Sequence, residues 1–300
     1  MPAAHKMNEK KEIAENSDGD DTSGGVATQK SKLNSPPVAI PVTPEADDHP
    51  LAGGLLPFQT LKGRQKFVSK VFTVVLIMLS ICAFGAFFPH FFPGHWSKTK
   101  SGWVERPHPV KAFFQDWWWL SIFPSVVFFI THCLMVCIDS FRRQFPKNII
   151  TLTILAISAA LMLPFASAYH NFIGVAIAVA ATALLCLAII IYAKFTSFDF
   201  TTKGFYILCF ACGVTLFTIV VSLFLFMVPH VNYTLGLFLH LLISLLSVVM
   251  FSLYLAYDVQ LVLGGRRFQI REDEWILGAV KIFTDIFGLF FSMLGLTQRV

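Results

Sequence analysis

A chain of 300 residues with 55% hydrophobic and only 14% charged side chains, and a mean hydropathy of +0.66, lies far from soluble-domain usage of roughly 25% charged residues. That composition defines a polytopic membrane protein. The net charge of +5 invites a nucleic-acid reading, but the Lys and Arg residues border apolar runs instead of forming a basic stripe, so nucleic acid is excluded as a partner.

Residues 1–60 hold mixed charges, the run Asp18-Gly19-Asp20-Asp21 and prolines at Pro36, Pro37, Pro41 and Pro44. This stretch cannot bury a core and reads as a disordered cytosolic tail. The first long apolar run begins at Val68, too far along for a cleaved leader, so no signal peptide is expected. Residues 61–300 then form one transmembrane domain. Windows of about 20 apolar residues predict spans near 68–88, 117–138, 149–168, 172–193, 204–228 and 234–262, with a shorter, more polar seventh near 276–296. The fold class is all-α, a seven-helix membrane bundle. Short loops around Tyr169-His170-Asn171 and Pro229-His230-Val231-Asn232 make their flanking helices antiparallel neighbours. Pro164 is expected to kink the third span, and Trp117-Trp118-Trp119 reads as an interfacial anchor. Asn232-Tyr233-Thr234 fits a glycosylation sequon but lies too close to the membrane to be modified.

Twelve Lys and Arg residues, including Arg142, Arg143, Arg266 and Arg267, fall on the side of the amino terminus, against Lys98, Lys100, Arg106 and Lys111 on the other. The amino terminus is therefore expected in the cytosol. The seventh segment admits two readings, a full crossing or a re-entrant turn.

Six cysteines all sit in apolar runs. Cys209 and Cys212 make a CxxC without His or acidic companions, so the thiols read as small hydrophobes. No phosphate-binding glycine loop, metal cluster or nucleophile triad appears, and no enzyme activity or cofactor is expected.

Of 18 acidic residues, Asp258 and Asp285 lie well inside apolar runs. An unpaired charge at mid-bilayer costs on the order of 3 kcal/mol, so such residues pair, face a watery cavity or carry function. Asp258 precedes the Gly264-Gly265 break by about six residues, or roughly 9 Å, and Asp285 lies roughly 16 Å into the last segment. The two can meet if the last helix starts late or tilts. Facing carboxyls would share a proton and, when ionised, attract a hard divalent cation such as calcium. Lys281 precedes Asp285 by four residues and is expected to pair with it on one helix face, or else to snorkel to the interface. His132 and His240 read either as proton relays to the aspartates or as hydrogen-bonded core residues. An intramembrane aspartyl protease would also use two aspartates, but the surroundings of Asp285 lack the glycine-flanked context and the later Pro-Ala-Leu segment of those enzymes.

Tyr257-Asp258-Val259-Gln260-Leu261-Val262-Leu263-Gly264-Gly265, Arg271-Glu272-Asp273-Glu274-Trp275 and Phe283-Thr284-Asp285-Ile286-Phe287 resemble the closing signature of the transmembrane Bax-inhibitor-motif family, lifeguard branch. Phe141-Arg142-Arg143-Gln144-Phe145-Pro146-Lys147-Asn148 extends the resemblance, which covers roughly residues 60–300. It implies a bundle around a short central last helix and a pH-sensitive calcium leak in intracellular membranes, the endoplasmic reticulum or Golgi. It further implies a role in suppressing cell death, with cell-death regulatory membrane proteins as partners; a non-conducting regulator is the other reading. Asp258 and Asp285 would be ion path and pH sensor, and Arg142, with Arg143 beside it, a latch on the first aspartate; both arginines also read simply as positive-inside loop residues. Lys281 departs from the family pattern of a small or amide residue, which implies weaker calcium conduction or gating at lower pH.

Overall fold

Long apolar stretches with no water to satisfy a free backbone must close their hydrogen bonds within helices. The computed structural model describes residues 61–92, 94–99, 102–106, 108–228 and 232–297; the expected disordered tail, 1–60, lies outside the described residues. Among the described residues nine α-helices follow one another: α1 (Leu61–Phe87), α2 (Pro109–Asp116), α3 (Ile122–Cys137), α4 (Asp139–Arg143), α5 (Lys147–Ser167), α6 (Phe172–Phe195), α7 (Gly204–Met227), α8 (Tyr233–Leu263) and α9 (Trp275–Leu296). Seven of them, all but α2 and α4, are long and apolar enough to cross a membrane, a 3-10 turn at Trp118–Ser121 extending α3. They match the seven expected spans to within a few residues except at α1, whose basic first two turns are helical although not apolar.

The loop after α1 contains what apolar counting does not register. Strands β1 (His95–Thr99) and β2 (Gly102–Arg106) pair antiparallel, with Ser97 opposite Val104. The helix α2 follows, its first turn capped by His108 Nδ1 accepting from the Val110 amide at 3.3 Å. The all-α class therefore holds for the membrane region with a small hairpin added.

Helix α9 is the axis of the bundle. Two-thirds of its span is buried, against less than half for each of the other six. On one side it packs with α1, α3, α5 and α6 through Met78, Leu155, Leu163, Phe283 and Phe287; on another, with α1, α6 and α8 through Val71, Leu255, Val259, Ala279 and Leu289. Helix α7 is peripheral, touching α8 through Ala211, Val214 and Met250. The two readings of the last segment are resolved by its ends. Trp275 lies under Lys70 Nζ, 3.6 Å from the ring centroid, at the end of the bundle where α1 begins. Gly295 meets Ser244 and His240, and the Thr297 carbonyl approaches Gly174, at the opposite end. Helix α9 thus runs the whole length of the bundle.

Pro164 sits inside α5 without ending it. Having no N–H, it gives nothing to the carbonyl of Ala160, one turn earlier. Gly85 of α1 comes against that same oxygen: a Cβ there would stand 2.4 Å away. The approach leaves room only for a Cα–H···O contact. Gly85→Ala should force α1 and α5 apart and lower stability by about 1–3 kcal/mol; denaturant titration of the purified protein reads this directly, and an unchanged midpoint would contradict the close crossing.

Candidate functional site

Three contacts set the register of the antiparallel pair α8 and α9. Gly278 receives Val262, Gly288 receives the Phe251 ring and Gly295 receives Ser244; a Cβ at Gly288 would lie 2.4 Å from that ring. With this register Lys281 comes level with Asp258, and Asp285 stands one turn deeper. The two carboxyl groups face each other across the helix pair and interact electrostatically. Both residues are buried, at 4% and 6% exposure. Lys281 Nζ donates to Asp258 Oδ1 at 2.9 Å and lies 5.6 Å from the Tyr257 ring centre. Asp285 Oδ2 is buried without a hydrogen-bond partner among the described residues.

The structure therefore corrects the expected Lys281–Asp285 pair: the lysine bonds across helices to Asp258. The reason is helical geometry. Side chains tilt toward their own helix's amino terminus, so the Lys281 stem leads away from Asp285, while the register already sets it level with Asp258 across the helix pair. Spacing of four residues places two side chains on one face but does not make them meet.

The expected latch also has a different partner. Arg142 Nη2 lies 2.5 Å from Asp139 Oδ1 and 3.3 Å from Glu274 Oε1, and its Nη1 donates to the Val136 carbonyl. Arg143 Nη2 bonds Glu274 Oε1 at 2.5 Å. Both arginines thus hold Glu274, immediately before α9, and no ion pair joins either to Asp258 among the described residues. The position of that acid at a helix start favours a negative charge there. Of the two histidines expected as relays, His132 is close: its Nδ1 is 3.4 Å from Thr284 Oγ1, the neighbour of Asp285. His240 is not. It stands beside Gly295, about 27 Å along α8 from Asp258 at 1.5 Å per residue.

Gln260, passed over in the sequence, organises the near mouth of the site. Its side chain is 1% exposed, accepts from the Phe200 amide at 2.8 Å and donates to the carbonyls of Phe198 at 2.9 Å and Ala193 at 3.3 Å. Arg266 adds hydrogen bonds to the carbonyls of Ser197 and Thr196. The connection between α6 and α7 is thereby fastened to α8 about half a turn from Asp258. Within it, slight burial works against ionisation of Asp199, but the Thr201 hydroxyl and amide outweigh this and hold the carboxyl below its ordinary range. A polar residue inside an apolar run was the available signal for Gln260. Gln260→Ala strands one amide and two carbonyls, a cost of about 2–3 kcal/mol. Faster amide exchange confined to 193–203 is the expected result, and unaltered exchange there would refute the fastening role.

A cavity of about 430 Å³ flanks α9 beside Ile286, between α1 and α6, and its lining is apolar, including Val75, Leu79, Cys186 and Phe287.

These features define a class: a seven-helix membrane bundle whose central last helix shares a buried carboxyl pair with its neighbour. Residues 64–299 match the family described as "Inhibitor of apoptosis-promoting Bax1", Bax1-I. The chain is 32% identical over 237 residues to Protein lifeguard 3 of Homo sapiens, covering 78% of this chain and 69% of the relative. Against Protein lifeguard 3 of Mus musculus it is 32% identical over 171 residues, 57% of this chain and 53% of that one. The chain belongs to the Bax inhibitor family.

Proposed function

We propose that this protein is a pH-sensitive calcium leak pathway of an intracellular membrane, endoplasmic reticulum or Golgi, with its amino terminus in the cytosol, and that it acts in suppressing cell death rather than as an enzyme. The observation that carries this reading is the burial of Asp258 and Asp285 one turn apart on the facing helices α8 and α9, at the axis of the bundle. Two buried carboxyls beside one ammonium are electrically neutral when they hold one proton, and burial favours that neutral state. Loss of the proton leaves one net negative charge facing a cation. Asp258 and Asp285 are the ion path and pH sensor in this reading, Lys281 and His132 adjust it, and the Arg142–Arg143–Glu274 cluster holds the start of α9. His240, remote from the pair, is left out of the path.

A second reading, a membrane regulator that conducts nothing and works through cell-death regulatory partners, draws on one observation: the Lys281–Asp258 bond at 2.9 Å puts a permanent cation where a calcium ion would bind. Purified protein in liposomes with a trapped calcium indicator, stepped from about pH 5 to about pH 8, separates the two. The leak reading expects flux that changes with pH and that Asp285→Asn abolishes or makes pH-independent. Well-folded protein with no flux at any pH establishes the regulator instead.

A further inference from the structure

At the end of the bundle remote from the carboxyl pair, a cavity of about 430 Å³ opens between the start of α3, the end of α5, the first turns of α8 and the last turns of α9. Two histidines face it from different elements, His170 on the α5–α6 connection and His240 on α8, and Ser121 and Ser125 line it from α3. His240 Nε2 is buried with no hydrogen-bond partner among the described residues, and such a group calls for a partner. No Asp or Glu is among the lining residues. Lys111 Nζ donates to the His170 carbonyl at 2.9 Å and brings a positive charge to the cavity, and His90 Nε2 lies 3.2 Å from the Ser167 carbonyl. The opposite wall, with Met162, Phe165, Phe291 and Leu294, is apolar, and Trp118 of the interfacial Trp117-Trp118-Trp119 run stands at the rim.

We infer that this cavity binds the phosphate head of an anionic membrane lipid, of the phosphatidic acid type, with His170 and His240 as its hydrogen-bond donors. The amphipathic lining selects a lipid over a free anion: the imidazoles meet the phosphate, the apolar wall meets the glycerol and first acyl carbons, and Trp118 marks the depth at which headgroups lie. Burial first, then the charges of His90, Lys111 and His240, hold the His170 ring below the usual histidine range. Its cationic form is thus scarce at neutral pH without a ligand. A bound phosphate reverses the sign of its surroundings, so lipid binding takes up a proton and strengthens as pH falls through the histidine range. This inference does not depend on ion conduction by the aspartate pair.

The test uses the full chain in lipid nanodiscs containing either dioleoyl phosphatidic acid or dioleoyl phosphatidylcholine, with lipid retention read by native mass spectrometry at about pH 5.5 and about pH 8. Preferential retention of phosphatidic acid at the lower pH is expected. His240→Gln should reduce that preference about tenfold, the worth of one charge-assisted hydrogen bond. Ser121→Phe keeps both histidines and fills the mouth, so it should abolish the preference even if His240→Gln folds poorly. Quenching of Trp118 by brominated phosphatidic acid, lost in Trp118→Phe, locates the bound lipid. Equal retention of the two lipids, a preference untouched by either cavity variant, or full displacement by inorganic phosphate would overturn the assignment.

Discussion

Lys281→Asn is expected to raise calcium flux through reconstituted protein by about tenfold or more, because it removes the ammonium bonded to Asp258. With Lys281 present, full ionisation of both carboxyls leaves a single net negative charge in a buried setting; without it, two. A divalent cation entering the native site must also displace a hydrogen-bonded ammonium, and the Coulomb repulsion between like charges in this low-dielectric region is several-fold stronger than in water. Asparagine is the apt replacement because it restores a polar side chain without charge, close in kind to the small or amide residue of the family pattern. Lys281→Arg is the matched control, since it keeps the charge and should keep flux low. If Lys281→Asn and the native protein conduct alike across the pH range, Lys281 is not an obstacle on the ion path.

The largest effect on stability is expected at Asp258. Asp258→Asn leaves Lys281 without its partner, and removing one member of a buried ion pair costs about 3–5 kcal/mol. The low end applies here because 28% of the Lys281 side chain is accessible and its stem can carry the ammonium toward the helix start. Asp285→Asn should cost less, since Asp285 Oδ2 has no hydrogen-bond partner among the described residues and an amide can still bond the Asp258 carboxylate. The double variant Asp258→Asn with Lys281→Gln removes both charges together and should recover most of the loss. A thermodynamic cycle over the four proteins, measured by reversible denaturant unfolding, should give a coupling of about 2–3 kcal/mol. A coupling near zero would mean that the 2.9 Å contact contributes nothing to stability.

The carboxyl pair was legible before any coordinates because cost made it so: acids deep in apolar runs are expensive, and two on consecutive segments stand out. Their partners were not legible in the same way. Lys281 was expected on Asp285 from its spacing, yet the tilt of side chains along α9 and the register with α8 deliver it to Asp258. Arg142 was expected near Asp258, but α4 ends where Glu274 is within reach, and the guanidinium goes there. His132 and His240 looked equivalent as lone histidines within spans. Only the packing separates them, placing one beside Thr284 and the other at the far end of the bundle.

By itself the sequence determined what depends on local composition: seven membrane-crossing lengths, their bounds to within a few residues except at the start of α1, and an all-helical membrane domain. Bilayer thickness and the need to satisfy every backbone group within a segment leave little else possible. Tertiary structure decided what depends on which residues face one another. It set the full crossing of α9, the register that Gly278, Gly288 and Gly295 allow, the anchoring of the α6–α7 connection by Gln260 and the exchange of ion-pair partners. Pairing between helices is fixed by close packing of surfaces distant in sequence, and a pattern read along one chain carries no record of that distance.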